Sequence, residues 1–352
     1  MRFLVTGTAG FIGFHLAKRL LSEHHQVVGF DAFTSYYNVE LKKARNSILC
    51  RMPGFRMFNA SLNDLASLRS AFDDTGPPDI VVHLAAQAGV RYSFENPSCY
   101  ISSNLVGTFN ILEMAREFKP QHLLIASSSS VYGANRTSPF REVDRADWPL
   151  SLYAATKKST EELSHSYSHL WSLPITCLRF FTVYGPWGRP DMAPWRFVHS
   201  ILSGEPIDVY GNGHMARDFT YVDDIVEGIV RLASATPEIA KPVSRTPPID
   251  SLSNVAPWRV VNLGAGRPIG LMDFIAAIEN ALGVTAIKKF LPMQKGDTLN
   301  TFADTALIKA LTGFAPTTRV DDGVQAFADW YRSLYDRDCG RLNLSALTGS
   351  TS

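Results

Sequence analysis

Cysteine is scarce. The 352 residues hold four, Cys50, Cys99, Cys177 and Cys339, and no two form a CxxC pair. That spacing excludes a disulfide framework and fits incidental thiols in a reducing compartment. Long apolar runs are also missing: nothing approaches the roughly 18 residues that a membrane helix needs. Neither sign of charge is in excess, with 34 Lys and Arg against 33 Asp and Glu. A net charge of +1 leaves no electrostatic footprint for nucleic acid. The nine histidines follow no metal-ligand spacing, and His24-His25 beside Glu23 reads as a solvated turn, so no metal is expected. An apolar strand begins at residue 2, which leaves no room for a signal peptide. A soluble, cytoplasmic protein is the expectation.

What is present is a globular composition, 45% apolar and 19% charged, long enough for one large domain or two smaller ones. RFLVT (2–6), VVGFD (27–31), DIVVHLAA (79–86), HLLIASSS (122–129) and ITCLRFF (175–181) are short, continuously apolar runs. Segments of helical spacing separate them, among them residues 100–117 and 153–171. Strands apolar on both faces, alternating with helices, imply an α/β fold with a parallel sheet covered on both sides. Further on, strands are expected at 207–211 and 259–264, and helices at 223–235, 271–282 and 321–335. Residues 236–258 carry five of the 20 prolines and read as a surface loop. Residues 340–352 read as a frayed tail.

Two motifs carry chemistry. GTAGFIG places Gly7, Gly10 and Gly13 between the first strand and a helix. Glycines there permit a tight turn and close approach of backbone N–H groups to a pyrophosphate at a helix N-terminus. Asp31 ends the next strand, where a carboxylate accepts both ribose hydroxyls and repels a 2′-phosphate. Ala32 and Phe33 follow it, so no arginine adjoins, which favours NAD over NADP. Downstream, YAATK puts Tyr153 and Lys157 on one helical face. A phenol with a pKa of about 10 is a poor base at neutral pH, but a neighbouring ammonium and a positive nicotinamide favour the phenolate. Such a pair takes a hydroxyl proton as hydride leaves the same carbon. Taken alone, YxxxK is common by chance; after a dinucleotide loop and the serine-ended strand ASSSSVYG (126–133) it is far more specific.

TGTAGFIG, HLAAQAGVRYS, SSSSVYG, YAATK, RDFTYVDD and NLGAG together resemble the extended short-chain dehydrogenase/reductases that act on nucleotide sugars. The resemblance covers residues 1 to about 335. DAFTSYYNVELKKAR, AAQAGVRYSFENPSCYISSNLVGTFNILE and RFFTVYGPWGRPDMA bring it closest to the UDP-glucuronate 4-epimerases. It implies a Rossmann-like, doubly wound parallel sheet with a smaller C-terminal α/β domain for the substrate. Residues 1–180 would bind NAD. Residues 181–338 would mainly bind the sugar nucleotide, with a strand or helix returning to the first sheet, and 339–352 would be a flexible tail. The implied reaction is reversible C4 epimerisation of UDP-glucuronate through a 4-keto sugar. UDP-glucose/UDP-galactose or N-acetylhexosamine epimerisation is the alternative, and a non-catalytic NAD sensor the remote one.

Position by position, the resemblance makes Tyr153, Lys157 and Ser128 catalytic. It gives NAD to Gly7, Gly10, Phe11, Ile12, Gly13, Asp31, Leu62, Leu84, Ala85, Ala86, Asn104 and Phe180, besides Tyr153 and Lys157. Related dehydratases hold an Asp-Glu pair where this chain has Ser129 and Ser130, so an acid for elimination is missing and neutral hydroxyls face a sugar that carries its own carboxylate. Ser127, Ser130 and Thr182 are the implied carboxylate contacts. Arg91 and Arg189 are candidates for the sugar or the phosphates, though either suits an ordinary surface ion pair. Arg217 matches a diphosphate-binding arginine, Asp297 a residue holding the nucleotide end, and Val209 lies in a strand expected to flank uracil. Two departures stand out: Ser61 replaces an adenine-reading Asp, and Gln294 replaces an arginine that UDP-galactose epimerases place near the diphosphate. Helices 100–117 and 153–171 carry apolar residues (Ile101, Leu105, Ile111, Leu112 on the first) that suit an internal core. In the resembled family they pair into a dimeric four-helix bundle, and a homodimer is expected.

Overall fold

The computed structural model describes residues 1–74, 76–244, 249–294, 298–336 and 341–342. The N-terminal part alternates strands and helices: β1 (Arg2–Thr6), α1 (Phe11–Ser22), β2 (Gln26–Asp31), α2 (Val39–Cys50), β3 (Phe55–Asn59), α3 (Leu65–Asp73) and β4 (Ile80–His83). Two short turns, α4 (Tyr92–Glu95) and α5 (Pro97–Tyr100), lead through a π-helical segment, Ile101–Val106, into α6 (Gly107–Phe118). Then come β5 (His122–Ser128), a 3₁₀ turn (Ser129–Tyr132), α7 (Leu152–Trp171) and β6 (Ile175–Phe180). The C-terminal part contains β7 (Thr182–Tyr184), α8 (Ala193–Ser203), β8 (Ile207–Tyr210), β9 (Ala216–Arg217), β10 (Phe219–Tyr221), α9 (Val222–Ala233) and β11 (Trp258–Leu263). It closes with β12 (Ile269–Gly270), α10 (Leu271–Leu282), β13 (Lys288–Leu291), β14 (Asn300–Thr301), α11 (Ala306–Thr312) and α12 (Val320–Leu334).

Seven strands form one parallel sheet in the order β11-β6-β5-β4-β1-β2-β3. Each strand feeds two cores. Phe3 and Val5 of β1 join the cluster built with α1, α9, α10 and α12, whereas Leu4 joins the one built with α3 and α6. Period-two burial on both faces is why the strands read as unbroken apolar runs. β11, far along the chain, lies beside β6 at the edge of this sheet, with Trp258 opposite Ile175. The remaining strands make small pairs: β10 with β7, β13 with β8, and β9 between β12 and β14.

Several elements depart from the sequence reading. The fourth strand stops at His83, and residues 84–90 leave the sheet to line a cleft. The helix expected from residue 100 opens with the wide π segment. There Asn104 accepts from the Gln87 N–H (2.8 Å) and donates to its carbonyl (3.0 Å), which holds the backbone out of α register. Ile111 and Leu112 are fully buried in the chain's own core; Ile101, Val106 and Phe109 are the exposed apolar residues of this helix. Residues 339–352 lie outside the described residues except Arg341 and Leu342.

The segment before α7 is tied beneath β11. The Asn262 N–H donates to Glu142 (2.8 Å), its side chain donates to the Phe140 carbonyl (2.9 Å), and the Tyr132 hydroxyl donates to its amide oxygen (2.7 Å). Burial pushes the Glu142 carboxyl up to about 7. Because the folded value lies above the unfolded one, Glu142 contributes stability that is fully present below about 4.5 and lost as pH rises through 7. Across that window wild type is expected to lose up to about 3 kcal/mol through this group. Urea unfolding at pH 5 and pH 8 should show a smaller difference for Glu142→Gln; an unchanged difference would remove Glu142 as its source.

Candidate active site

A cleft of about 540 Å³ opens at the carboxyl ends of β1, β2, β4, β5 and β6. The sheet order reverses between β1 and β4, the place where open α/β sheets take ligands. Its floor is the glycine loop. Gly7 has a left-handed φ of +81°, and a side chain there would meet the Ala85 backbone nitrogen at 2.9 Å. A Cβ on Gly10 would stand 2.9 Å from the Gly7 carbonyl oxygen, and one on Gly13 would overlap that oxygen. No side chain caps α1 at Gly10. The result is a bare backbone cradle at a helix N-terminus, which suits a pyrophosphate. Phe11, Ile12, Leu84, Ala85, Ala86 and Phe180 also line the cleft.

Asp31 is held at the mouth of this cradle. Its carboxylate accepts from the Ala9 N–H (3.1 Å) and the Phe33 N–H (2.8 Å), and burial raises its pKa. Lys42 lines the same end and donates to the Thr34 carbonyl (2.7 Å) and hydroxyl (3.0 Å). The cradle and this carboxylate fit NAD: backbone donors for the diphosphate and an acceptor for ribose hydroxyls. Leu62 borders the cleft, and its carbonyl accepts from Asn110 (2.8 Å). The Ser61 hydroxyl, at the exposed edge of the cleft, accepts from the Asn63 N–H (3.3 Å).

β5 ends at Ser128, and its hydroxyl accepts from the Ser130 N–H (3.2 Å), so it caps the 3₁₀ turn that carries Ser129 and Ser130 into the cleft. Ser151 caps α7 by accepting from the Ala154 N–H (3.1 Å), which places Tyr153 in the first turn and in the cleft. Burial raises the Tyr153 pKa, while the neighbouring Ser128 hydroxyl, which donates to Ser130 Oγ (3.2 Å), and the Arg189 charge pull it back. Lys157 lines the cleft with Tyr153. Its ammonium donates to the Ala126 carbonyl (2.8 Å), and burial holds its own pKa down at about 8. Ser128 and Arg189 are the groups that oppose the effect of burial on Tyr153.

Ser127 requires a correction. Its hydroxyl donates to Glu161 (2.6 Å), which is also gripped by Arg179 at 2.9 and 2.8 Å deep under the sheet. A serine has one proton to donate, so Ser127 is not a donor to a ligand carboxylate. Thr182, Ser129 and Ser130 remain half-buried in the cleft. Arg189 lies there too, paired with Asp191 (Nε to Oδ1 3.1 Å), and the Tyr36 hydroxyl donates to the same carboxylate (3.0 Å).

Other candidates sit elsewhere. Asn104 does not line the cleft; its amide clamps Gln87 and donates to Thr156 (3.0 Å). Val209 faces the core, fully buried, because β8 alternates and turns Asp208 and Tyr210 outward. Arg217 lies on β9, outside the cleft lining, and donates to the carbonyls of Ala216 (2.9 Å) and Leu299 (3.0 Å). Arg91 stacks over the Tyr210 ring at 4.9 Å, joining the two halves beyond the cleft lining. Asp297 lies outside the described residues, and Gln294 has no described role. Tyr36, Lys42, Gln87 and Asp191 line the cleft unforeseen. All four belong to stretches that carried the family resemblance, but nothing in linear spacing says that α2 folds back on Asp31.

The profile of the NAD dependent epimerase/dehydratase family matches residues 3–243. A probable UDP-glucuronate 4-epimerase of Rhizobium meliloti is 55% identical over 337 residues, 96% of this chain and 98% of that protein. UDP-glucuronate 4-epimerase 4 of Arabidopsis thaliana is 43% identical, over 95% of this chain and 76% of its own length. Among solved structures, UDP-glucuronic acid 4-epimerase from Bacillus cereus, in complex with UDP-glucuronic acid and NAD, superposes with a TM-score of 0.83. It is 34% identical, covering 95% of this chain and 100% of that one.

The Ser127 geometry makes a prediction. Removing a donor from a buried carboxylate costs about 1–3 kcal/mol. Ser127→Ala should lower the thermal midpoint by several degrees and leave NAD affinity unchanged. Weakened NAD binding at an unchanged midpoint would place the hydroxyl against a ligand instead.

Proposed function

The chain belongs to the NAD dependent epimerase/dehydratase family, and on that footing we propose that it interconverts UDP-glucuronate and UDP-galacturonate by epimerisation at C4. NAD is its cofactor. One observation carries the substrate reading: Tyr153 and Ser128 share the cleft with a wall of small hydroxyls, Ser129, Ser130 and Thr182, and with Arg189, which Asp191 holds in place. A wall of neutral donors beside a cation accepts a sugar carboxylate without like-charge repulsion, and it offers no acid for elimination.

In this reading the Tyr153 oxygen takes the proton of the 4-hydroxyl and gives it back, and Ser128 orients the phenol. Bound NAD would supply the hydride acceptor for C4, and the 4-keto sugar would have to swing about its bond to the diphosphate so that the hydride comes back to its other face. Gly7, Gly10 and Gly13 hold the diphosphate of NAD and Asp31 the adenosine ribose. Lys157, anchored on the Ala126 carbonyl, would hold the nicotinamide ribose. Thr182 and Ser130 donate to the carboxylate and keep it near the plane of the 4-ketone. That orientation prevents the carboxyl bond from overlapping the carbonyl, so CO₂ is retained.

The sheet formed by residues 1–180 with β11 is the dinucleotide-binding unit, and the remainder from 181 mainly holds the sugar nucleotide. Among the described residues no helix is long and apolar enough to cross a membrane, and a cytoplasmic location suits nucleotide-sugar chemistry. A homodimer is supported by exposed apolar residues on the helices expected to pair: Ile101, Val106 and Phe109 on one, Leu170 on the other.

Two variants test the reading. Tyr153→Phe should lower turnover about 10²–10⁴-fold, the value of a positioned proton-transfer group. UDP-sugar affinity should hold within about threefold, because the nucleotide supplies most of the binding. Turnover within about tenfold of wild type would remove the tyrosine from proton transfer. Thr182→Val should cost about ten- to a hundredfold on UDP-glucuronate, the worth of one hydrogen bond to a charged group, and much less on UDP-glucose. Equal losses on both sugars would assign Thr182 to the fold.

A further inference from the structure

Three consecutive carbonyls in the turn after β7 face the dinucleotide-binding half. The Pro186 carbonyl is 2.9 Å from Nε2 of His15 on α1, and since a carbonyl only accepts, that nitrogen carries the proton. Burial holds His15 neutral, with a pKa of about 4. The carbonyls of Trp187 and Gly188 both accept from Nη2 of Arg45 on α2, at 2.6 and 3.1 Å. Nη1 of the same guanidinium reaches the other way, to the Ala9 carbonyl inside the glycine loop (2.8 Å) and the Tyr37 hydroxyl (2.7 Å). One side chain thus bridges the cofactor cradle and the turn that delivers Arg189.

Arg45 is fully buried, and its Nε has no partner. Among the described residues no carboxylate is ion-paired with it; Asp31 acts on it only at a distance. Burying a guanidinium on neutral oxygens carries a heavy desolvation cost that an apolar side chain would avoid. The turn it holds is itself unusual, since Trp187 has a left-handed φ of +61° and packs on Phe14 at 5.3 Å. A planar fork can satisfy carbonyls on two separate segments at once, whereas a lysine offers one nitrogen.

We propose that Arg45 is a positioning residue for the sugar nucleotide: it registers Arg189 against the glycine loop, so the substrate-binding arm is set by the side chain that also braces the cofactor cradle. The inference rests on the reading that Arg189 faces the UDP-sugar. Arg45 does not line the cleft and acts through the Trp187–Gly188 backbone.

The test is a double-mutant cycle on the full-length holoenzyme, Arg45→Lys crossed with Arg189→Ala, reading kcat, KM for UDP-glucuronate, NAD content and thermal midpoint. In the wild-type background Arg45→Lys should raise KM roughly tenfold with NAD content unchanged. In the Arg189→Ala background it should change KM by less than about twofold, because coupled residues are not additive. The same fold-change in both backgrounds, or a KM that follows loss of NAD, overturns the proposal. Should Arg45→Lys fail to fold, His15→Leu, which removes the donor to Pro186 in the same turn, is crossed with Arg189→Ala and judged alike. A wild type that epimerises only UDP-glucose sinks the uronate reading, and the cycle run with that sugar still decides the role of Arg45. With no turnover on either sugar, the cycle is read from the calorimetric Kd for UDP-glucuronate.

Discussion

The active cleft depends on how α7 is fastened to the end of β5. Lys157 donates to the Ala126 carbonyl, and Glu161, one turn further along α7, is locked by Arg179 of β6 and Ser127 of β5. These bonds lie where water does not reach, so each resists opening more than a surface pair does. They set the rotation of α7 about its axis, and that rotation brings Tyr153 to Ser128. A buried ion pair is a poor source of net stability but a strong constraint on geometry, since a charge left unpaired there is costly. Here the constraint acts on the two residues assigned to the proton.

The cleft's charges are arranged around that point. Asp31 and Lys42 stand beside the glycine loop, Arg189 with Asp191 in the turn after β7, and Tyr153 is raised by burial but pulled back by Ser128 and Arg189. Between them lies a neutral stretch of serine and threonine hydroxyls. Arg45 and His15 hold the two halves of this arrangement in register through backbone carbonyls.

Much of this was legible in the sequence. Continuously apolar runs with helical segments between them follow directly from a sheet buried on both faces, and the seven-stranded parallel sheet has that form. The glycine triplet, Asp31, Ser128 and the YxxxK pair are local patterns whose spacing is set by a turn, a strand end or one helical turn. Element ends were less legible: the fourth strand stops early, and the π segment before α6 arises from Asn104 clamping Gln87, a contact 17 residues apart in the chain.

What only the tertiary structure decided is where a side chain points once its neighbours arrive. Ser127 has the same chemistry as Ser128, yet strand alternation and Glu161 of α7 take its proton beneath the sheet. Val209 is in a strand whose pleat turns it into the core, and Lys42 and Arg45 reach the cofactor end only because α2 packs back across the sheet. The sequence by itself determined the fold class, the glycine loop between β1 and α1, and the placing of Tyr153 and Lys157 on one helical face, because local spacing sets each of them. Tertiary packing decided which hydroxyls remain free and which cations face the cleft, because that depends on contacts between residues far apart in the chain.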